Sequence, residues 1–341
     1  MPTLPHPHRP LKWTARGVVA GGIVFGLLGT LGGCSSGEKK PEGGTPVVTA
    51  DPKVELAEQK LREGDKASAL AILEEVIREN PKATRAQMNV ADIRRSDGDY
   101  HGAAQAYEAA GASDPQNFDA FYNAGLMRHV LKQLSEAITD YLKALRLKPH
   151  DFQTNANIAT AYYQYGENAQ ARPFAEEAVR LNPRDGGARY TLGAVYAALD
   201  MNDLALVEFQ QATELYTDFQ APLLLALGET YGKLGRYTEM RNTLQTLAKN
   251  KPSPEAWERL GYALFKLKDY GSALEAFNNA LAMDPNYFPA LNGIGVCELN
   301  EFVWSERTDT AAKDRALRAL RRSYQINSDQ PRIAELLSRY R

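Results

Sequence analysis

The residues able to do chemistry are few, and their spacing is poor for catalysis. Two cysteines and five histidines are present in 341 residues. No H-E-x-x-H, C-x-x-C or Walker loop occurs, so the common signatures of zinc hydrolysis, dithiol redox chemistry and nucleotide binding are missing. His101 stands beside a turn and His150 just after Pro149, where a surface position explains each. The carboxylates are scattered over helix faces with no pair singled out by spacing. Cys297 reads as a buried small hydrophobe. What does recur is a carboxamide. Asn89, Asn123 and Asn157 stand 34 residues apart. Each can donate and accept at once, so it can pair with both the N–H and the C=O of a peptide backbone. That is the chemistry of holding a chain, and no catalysis, cofactor or metal is expected.

The asparagines belong to a pattern that fills the chain from about Ala50 to Ser328. Pro81, Pro115, Pro149 and Pro183 keep the same 34-residue step, and Pro252 and Pro285 continue it after a one-residue drift. Ala69, Ala103, Ala137, Ala171, Ala205 and Ala273 form one alanine row, and Ala110, Ala144, Ala178, Ala212 and Ala280 a second. Each unit contains two segments with apolar residues three and four apart, which is helical spacing. Alanine or glycine recurs where two helices must approach closely. Gly64-Asp65, Gly98-Asp99, Gly166-Glu167, Gly235-Arg236 and Lys268-Asp269 supply the turns between helices. One such hairpin cannot bury its apolar face alone, but a stack of neighbours can.

Three copies depart from the pattern. The fifth has Thr217 where a proline is expected. The sixth has Met240 in the small-residue position, which predicts looser or shifted packing. In the eighth, Leu291, Ile294 and Gly295 keep the first helix in frame, but Ala316 and Leu320 arrive about nine residues late. The extra length lies within Glu301 to Asp314 and carries Phe302, Val303 and Trp304. Ile333 to Tyr340 has apolar residues at helical spacing and is expected to cap the last repeat.

Around Trp257 the chain reads W-x-x-L-G-x-x-L, with Leu260, Gly261 and Leu264, and continues through Ala273, Phe277, Ala280 and Pro285. This resembles the tetratricopeptide repeat family. The same frame gives Leu192, Gly193, Tyr196, Ala205, Phe209 and Ala212 in one copy, and Leu227, Gly228, Tyr231, Leu244 and Pro252 in another. The resemblance implies an all-α, right-handed superhelical solenoid of about eight helix hairpins with a C-terminal capping helix. It also implies that first helices line the concave side, with Asn89, Asn123 and Asn157 forming a ladder there. Neighbouring helices about 8–10 Å apart and an extended peptide rising about 3.3 Å per residue put one rung at about every third peptide residue. Tyr122, His129, Tyr163 and Tyr190 are expected to add aromatic area to this groove. The ladder stops at Thr191, Ala226 and Arg259.

Residues 1–33 are of another kind. Arg9, Lys12 and Arg16 form a basic start without an acidic residue, and Val18 to Leu31 is apolar, Gly-rich and short for a membrane span. Leu31-Gly32-Gly33-Cys34 resembles the lipobox of bacterial lipoproteins. That resemblance implies cleavage before Cys34 and acylation of its sulfur. The expected organisation is a signal peptide at 1–33, an acylated Cys34 with a flexible tether at 34–50, and the repeats at 51–341. Ser35 after the cysteine resembles lipoproteins sent to the outer membrane, so the expected place is the bacterial cell envelope, at the outer membrane facing the periplasm. The formal charge of −2 becomes −5 once Arg9, Lys12 and Arg16 are set aside. This is no nucleic-acid footprint, and no small-molecule substrate is expected. The partners expected are a protein or extended peptide, and the membrane through lipid on Cys34. The reading is a lipid-anchored interaction scaffold. Its alternatives are a pilotin-like assembly factor for a pilus or secretion machine, or an accessory subunit of a cell-wall or sugar-modifying enzyme.

Overall fold

Gly64, Gly98, Gly166 and Gly235 all take left-handed backbone angles, with φ between 73° and 89°. These are the positions where the sequence places inter-helix turns. Glycine has no Cβ to clash there, so it ends one helix sharply. After Gly64 and Gly98 the next residue caps the following helix, as Asp269 does after Lys268, which also has a positive φ. Asp65, Asp99 and Asp269 accept hydrogen bonds from the backbone N–H groups of Ser68, Gly102 and Ser272 at 3.1, 2.8 and 3.2 Å. A cap of this kind stabilises a helix by about 1 kcal/mol.

A computed structural model describes residues 51–341. These form 17 α-helices and, among the described residues, no strand. The described chain divides into two compact units, 51–200 and 201–341, and the boundary falls inside the fifth copy of the sequence pattern. The first unit contains α1 (Pro52–Arg62), α2 (Lys66–Glu79), α3 (Thr84–Ser96), α4 (Tyr100–Ser113), α5 (Phe118–Val130), α6 (Leu134–Leu147), α7 (Phe152–Tyr165), α8 (Asn168–Leu181) and α9 (Gly186–Ala198). The second contains α10 (Asn202–Leu215), α11 (Ala221–Lys233), α12 (Tyr237–Asn250), α13 (Pro254–Lys266), α14 (Tyr270–Met283), α15 (Phe288–Trp304), α16 (Thr310–Ile326) and α17 (Pro331–Arg339). In the first unit α2, α4, α6 and α8 each end two residues before a proline of the periodic series, which cannot continue a helix.

Within a hairpin, a small residue on the first helix receives a large side chain from the second. A Cβ added to Gly125 would come within 2.7 Å of the Tyr141 ring, and one added to Gly261 within 2.7 Å of Phe277. Tyr141 is fully buried and Phe277 nearly so. Burying a ring of this kind is worth about 1.5–3 kcal/mol. The alanine rows are buried as their spacing requires, with Ala69, Ala103, Ala137, Ala171, Ala205 and Ala273 all at 0% exposure.

Two departures have causes local to their own repeats. At Met240 the packing is shifted, one of the two outcomes its size predicts. Met240 is buried, and Gly232 on α11 stands opposite it, with room that a Cβ would fill to 2.7 Å from the Met240 sulfur. The small residue has changed helices. The extra residues of the eighth copy are mostly helix: α15 and α16 are 17 residues each, against 13 and 14 in α13 and α14. Phe302 is buried and meets Tyr340 edge-on at 6.2 Å, whereas Trp304 stays half exposed against Tyr270 at 4.6 Å. The cap forms as expected. Ile333 of α17 packs with Leu299, Ala316 and Leu320, and Leu336, Leu337 and Tyr340 surround it.

Candidate functional site

Asn89, Asn123 and Asn157 are brought to α3, α5 and α7, the first helices of successive hairpins in the unit 51–200. Within this unit α1 touches α3, α5 touches α7, and α7 touches α9. The asparagines do not have identical surroundings. The Asn89 amide donates to Glu58 Oε1 on α1 at 3.0 Å. Arg85 grips the same carboxylate at 2.6 and 2.7 Å. Those bonds, Arg85 first and Asn89 after it, hold the Glu58 carboxyl below its ordinary range against the opposing effect of burial. Asn123 donates to the Asp119 carbonyl of its own helix at 2.9 Å. Asn157 donates to the Tyr122 hydroxyl on α5 at 3.2 Å and is 9% exposed.

Each of these bonds uses one of the two amide hydrogens, so the second hydrogen and the carbonyl oxygen of each carboxamide stay outside them. Asn157 does more than line this face. It ties α7 to α5, and its removal touches stability as well as the groove.

The aromatic candidates divide. Tyr122 is half-buried, stacks on Phe118 at 5.8 Å and tilts against Tyr141 at 6.0 Å. Burial raises its phenol pKa. Tyr163 is 38% exposed, and Tyr190 is half-buried. His129 is not a groove residue. It is 3% exposed, with Nε2 at 3.3 Å from Gln164 Oε1 on α7 and Nδ1 at 3.5 Å from the Tyr141 hydroxyl. It is a core link between α5 and α7, and burial lowers its pKa. His101 is exposed as expected, and His150, also exposed, pairs with Glu177 at 2.9 Å.

Two polar groups escaped the sequence reading. Asp140 on α6 is 1% exposed and is held by Arg128 at 2.6 Å and Lys143 at 2.9 Å. Glu258 on α13 is 2% exposed, and burial pushes its carboxyl up to about 7. Its one ion-pair contact is loose, 3.6 Å to Arg259 Nε, a nitrogen with no hydrogen-bond partner. Both carboxylates lie on helix faces that a neighbouring helix covers, and a lone helix gives no sign of that. Cys297 is buried, and burial pushes its thiol up to about 12, as suits a packing residue. Among the described residues no cluster of His, Cys, Asp and Glu is placed to hold a metal, and no helix is long and apolar enough to cross a membrane. The expected signal peptide at 1–33, Cys34 and the expected tether at 34–50 lie outside the described residues.

Comparison with known proteins follows the same repeat. A tetratricopeptide repeat model matches residues 54–117, 91–152 and 225–288, and a second matches 152–185. The peroxisomal targeting signal receptor of Saccharomyces cerevisiae is 22% identical over 208 residues, covering 58% of this chain and 34% of that protein. BBSome complex member BBS4 of Xenopus tropicalis is 28% identical over 147 residues, covering 41% of this chain and 28% of its own length. The chain thus spans about a third of these curated relatives. Among solved structures, a chain of the APC/C hetero-tetramer Cut9-Hcn1 superposes with a TM-score of 0.53 at 21% identity, over 80% of this chain and 52% of that one. That likeness is one of fold.

Proposed function

Because the chain belongs to the tetratricopeptide repeat family, we propose that it is a lipid-anchored interaction scaffold of the bacterial cell envelope. It holds an extended segment of a protein partner along its first-helix face, and its role is binding rather than catalysis. The observation that carries this reading is one carboxamide at one register of three consecutive hairpins, Asn89, Asn123 and Asn157. Tyr122, Tyr163 and Tyr190 flank that register. One relative is by name a receptor for a targeting signal, which agrees with a groove that takes up part of another chain. The anchor rests on the sequence Leu31-Gly32-Gly33-Cys34 behind a basic start and an apolar stretch. Cys34 would carry the lipid, with the outer membrane, facing the periplasm, as the site.

The groove is tested by changing all three asparagines to alanine. A net hydrogen bond contributes about 0.5–1.5 kcal/mol, so partner affinity is expected to fall by roughly 10- to 1,000-fold. Thr191→Ala, next on the same register, is expected to matter much less. Intact affinity in a folded triple variant would end this reading. The anchor is tested separately. Cys34→Ala is expected to leave an unprocessed precursor that takes up no labelled fatty acid, and equal labelling of variant and wild type would exclude Cys34 as the lipid site.

A further inference from the structure

The register that carries the asparagines changes character along the unit 51–200. On the first two hairpins, positions 51, 55, 58 and 62 and positions 85, 89, 92 and 96 share one helix face and hold six charged residues: Asp51, Glu55, Glu58, Arg62, Arg85 and Asp92. On α5, α7 and α9 the matching positions are 119, 123, 126 and 130, then 153, 157, 160 and 164, then 187, 191, 194 and 198. These twelve hold one charged residue, Asp119 in the first turn of α5. At the chain's 24% charged residues, twelve positions would hold about three. Water-exposed positions ordinarily hold more than the average, because charged side chains are seldom buried. Most of this face is open: Asp119, Val130, Gln153 and Ala198 are exposed, Asn123, Thr160 and Thr191 are half-buried, and Asn157 and Ala194 are covered. The second helices beside it carry the usual charges, among them Lys143, Arg146, Arg172 and Glu176.

Resting on the peptide-groove reading above, we propose that the face of α5, α7 and α9 receives an uncharged extended peptide segment of about six residues. Beyond Asp119 at its edge, the face carries no charge, so it loses little hydration when covered and offers no counter-ion to a charged side chain laid along its middle. Burying an unpaired charge is strongly unfavourable, so Asp, Glu, Lys and Arg are rejected along this stretch. The amides and hydroxyls of Asn123, Gln153, Thr160 and Thr191 satisfy backbone groups without charge. On α9, Ala194 and Ala198 keep the surface low enough for a backbone to approach. Three helices about 8–10 Å apart span a distance that about six residues cover at roughly 3.3 Å each. The charges on α1 and α3 include pairs already made, Arg85 with Glu58 at 2.6 Å and Arg95 with Asp92 at 3.0 Å. A peptide is favoured over a neutral glycan because the Tyr122 ring is engaged by Phe118 and Tyr141 rather than open to a sugar.

The test selects a phage-displayed random dodecapeptide library on the immobilised full-length protein. Charged residues are expected to fall about threefold or more below their frequency in the unselected library across a core of about six positions. Thr160→Lys, which sets one charge in the middle of the face, is expected to weaken a selected peptide about tenfold or more. Gln170→Lys on exposed α8 is the control and leaves it unchanged, with a circular-dichroism melt confirming that both variants fold. Selected cores as charged as the starting library, or unaltered binding by folded Thr160→Lys, would overturn this proposal while leaving the peptide groove standing. Failure to select any peptide would overturn both. Chitohexaose protecting the amides of α5, α7 and α9 from exchange, where no peptide does, would give the face to a glycan instead.

Discussion

His129 and Tyr163 occupy the same step of the repeat, yet one is 3% exposed and the other 38%. The difference comes from what each neighbouring helix offers. Tyr141 and Gln164 close over His129 from α6 and α7. Periodicity places a residue on a face but does not say whether the next hairpin covers it, and so His129 is legible in the sequence as a groove candidate and not as core. Asn157 shows the same limit, since its bond to the Tyr122 hydroxyl joins two hairpins. Asn157→Ala alone is therefore expected to lower stability by about 0.5–1.5 kcal/mol, and Asn123→Ala, whose partner is a carbonyl of its own helix, by less. Urea melts of the two single variants check this. Equal midpoints for both would mean that the Tyr122 link contributes nothing.

Helices and turns are legible because their causes are local. Gly64-Asp65 ends one helix and caps the next within two residues, and the same logic holds at Gly98-Asp99. Compensation between helices is not local. How Met240 is accommodated shows only once Gly232 is seen opposite it, and the sequence places the extra length of the eighth copy within Glu301 to Asp314 without showing that both helices run longer. Gly261→Leu tests the hairpin lock. Its side chain must enter the space held by the Phe277 ring, and overpacking of this kind costs about 1–3 kcal/mol or more. Hydrogen exchange is expected to speed first in α13 and α14, and unchanged protection there would refute the lock. The lengthened α15 gives a second test. Phe302 is buried against the cap and Trp304 is 54% exposed. Phe302→Ala is expected to cost about 3–5 kcal/mol, and Trp304→Ala much less, by thermal melts. The reverse order would place Trp304, not Phe302, at the anchor of α15.

At the scale of the whole molecule, the two units carry buried titrating groups of opposite sense. In 51–200, burial lowers the pKa of His129 below its ordinary 6.5. Below that pH the unfolded chain takes a proton that the folded chain refuses, so stability of this unit is lost as pH falls through about 6.5. In 201–341, burial raises Glu258 from 4.5 to about 7, with Glu255 and Glu229 adding repulsion and Arg259 opposing it. Here the favourable contribution is full below 4.5 and is lost as pH rises to about 7, a change on the order of 3 kcal/mol for this shift. Acidification is thus expected to weaken the His129 surroundings and strengthen those of Glu258. Amide exchange at about pH 5 and about pH 7.5, corrected for intrinsic rates, separates the two because each amide reports its own unit. Other carboxylates titrate across the same range, so the variants decide. His129→Gln is expected to flatten the pH response of α5 to α7 alone, and Glu258→Gln that of α11 to α15 alone, while stabilising the latter near pH 7.5. If Glu258→Gln keeps the wild-type pH slope in α13, the Glu258 carboxyl is ionised and solvated in the folded protein, and the buried acid is not the source of any pH response there.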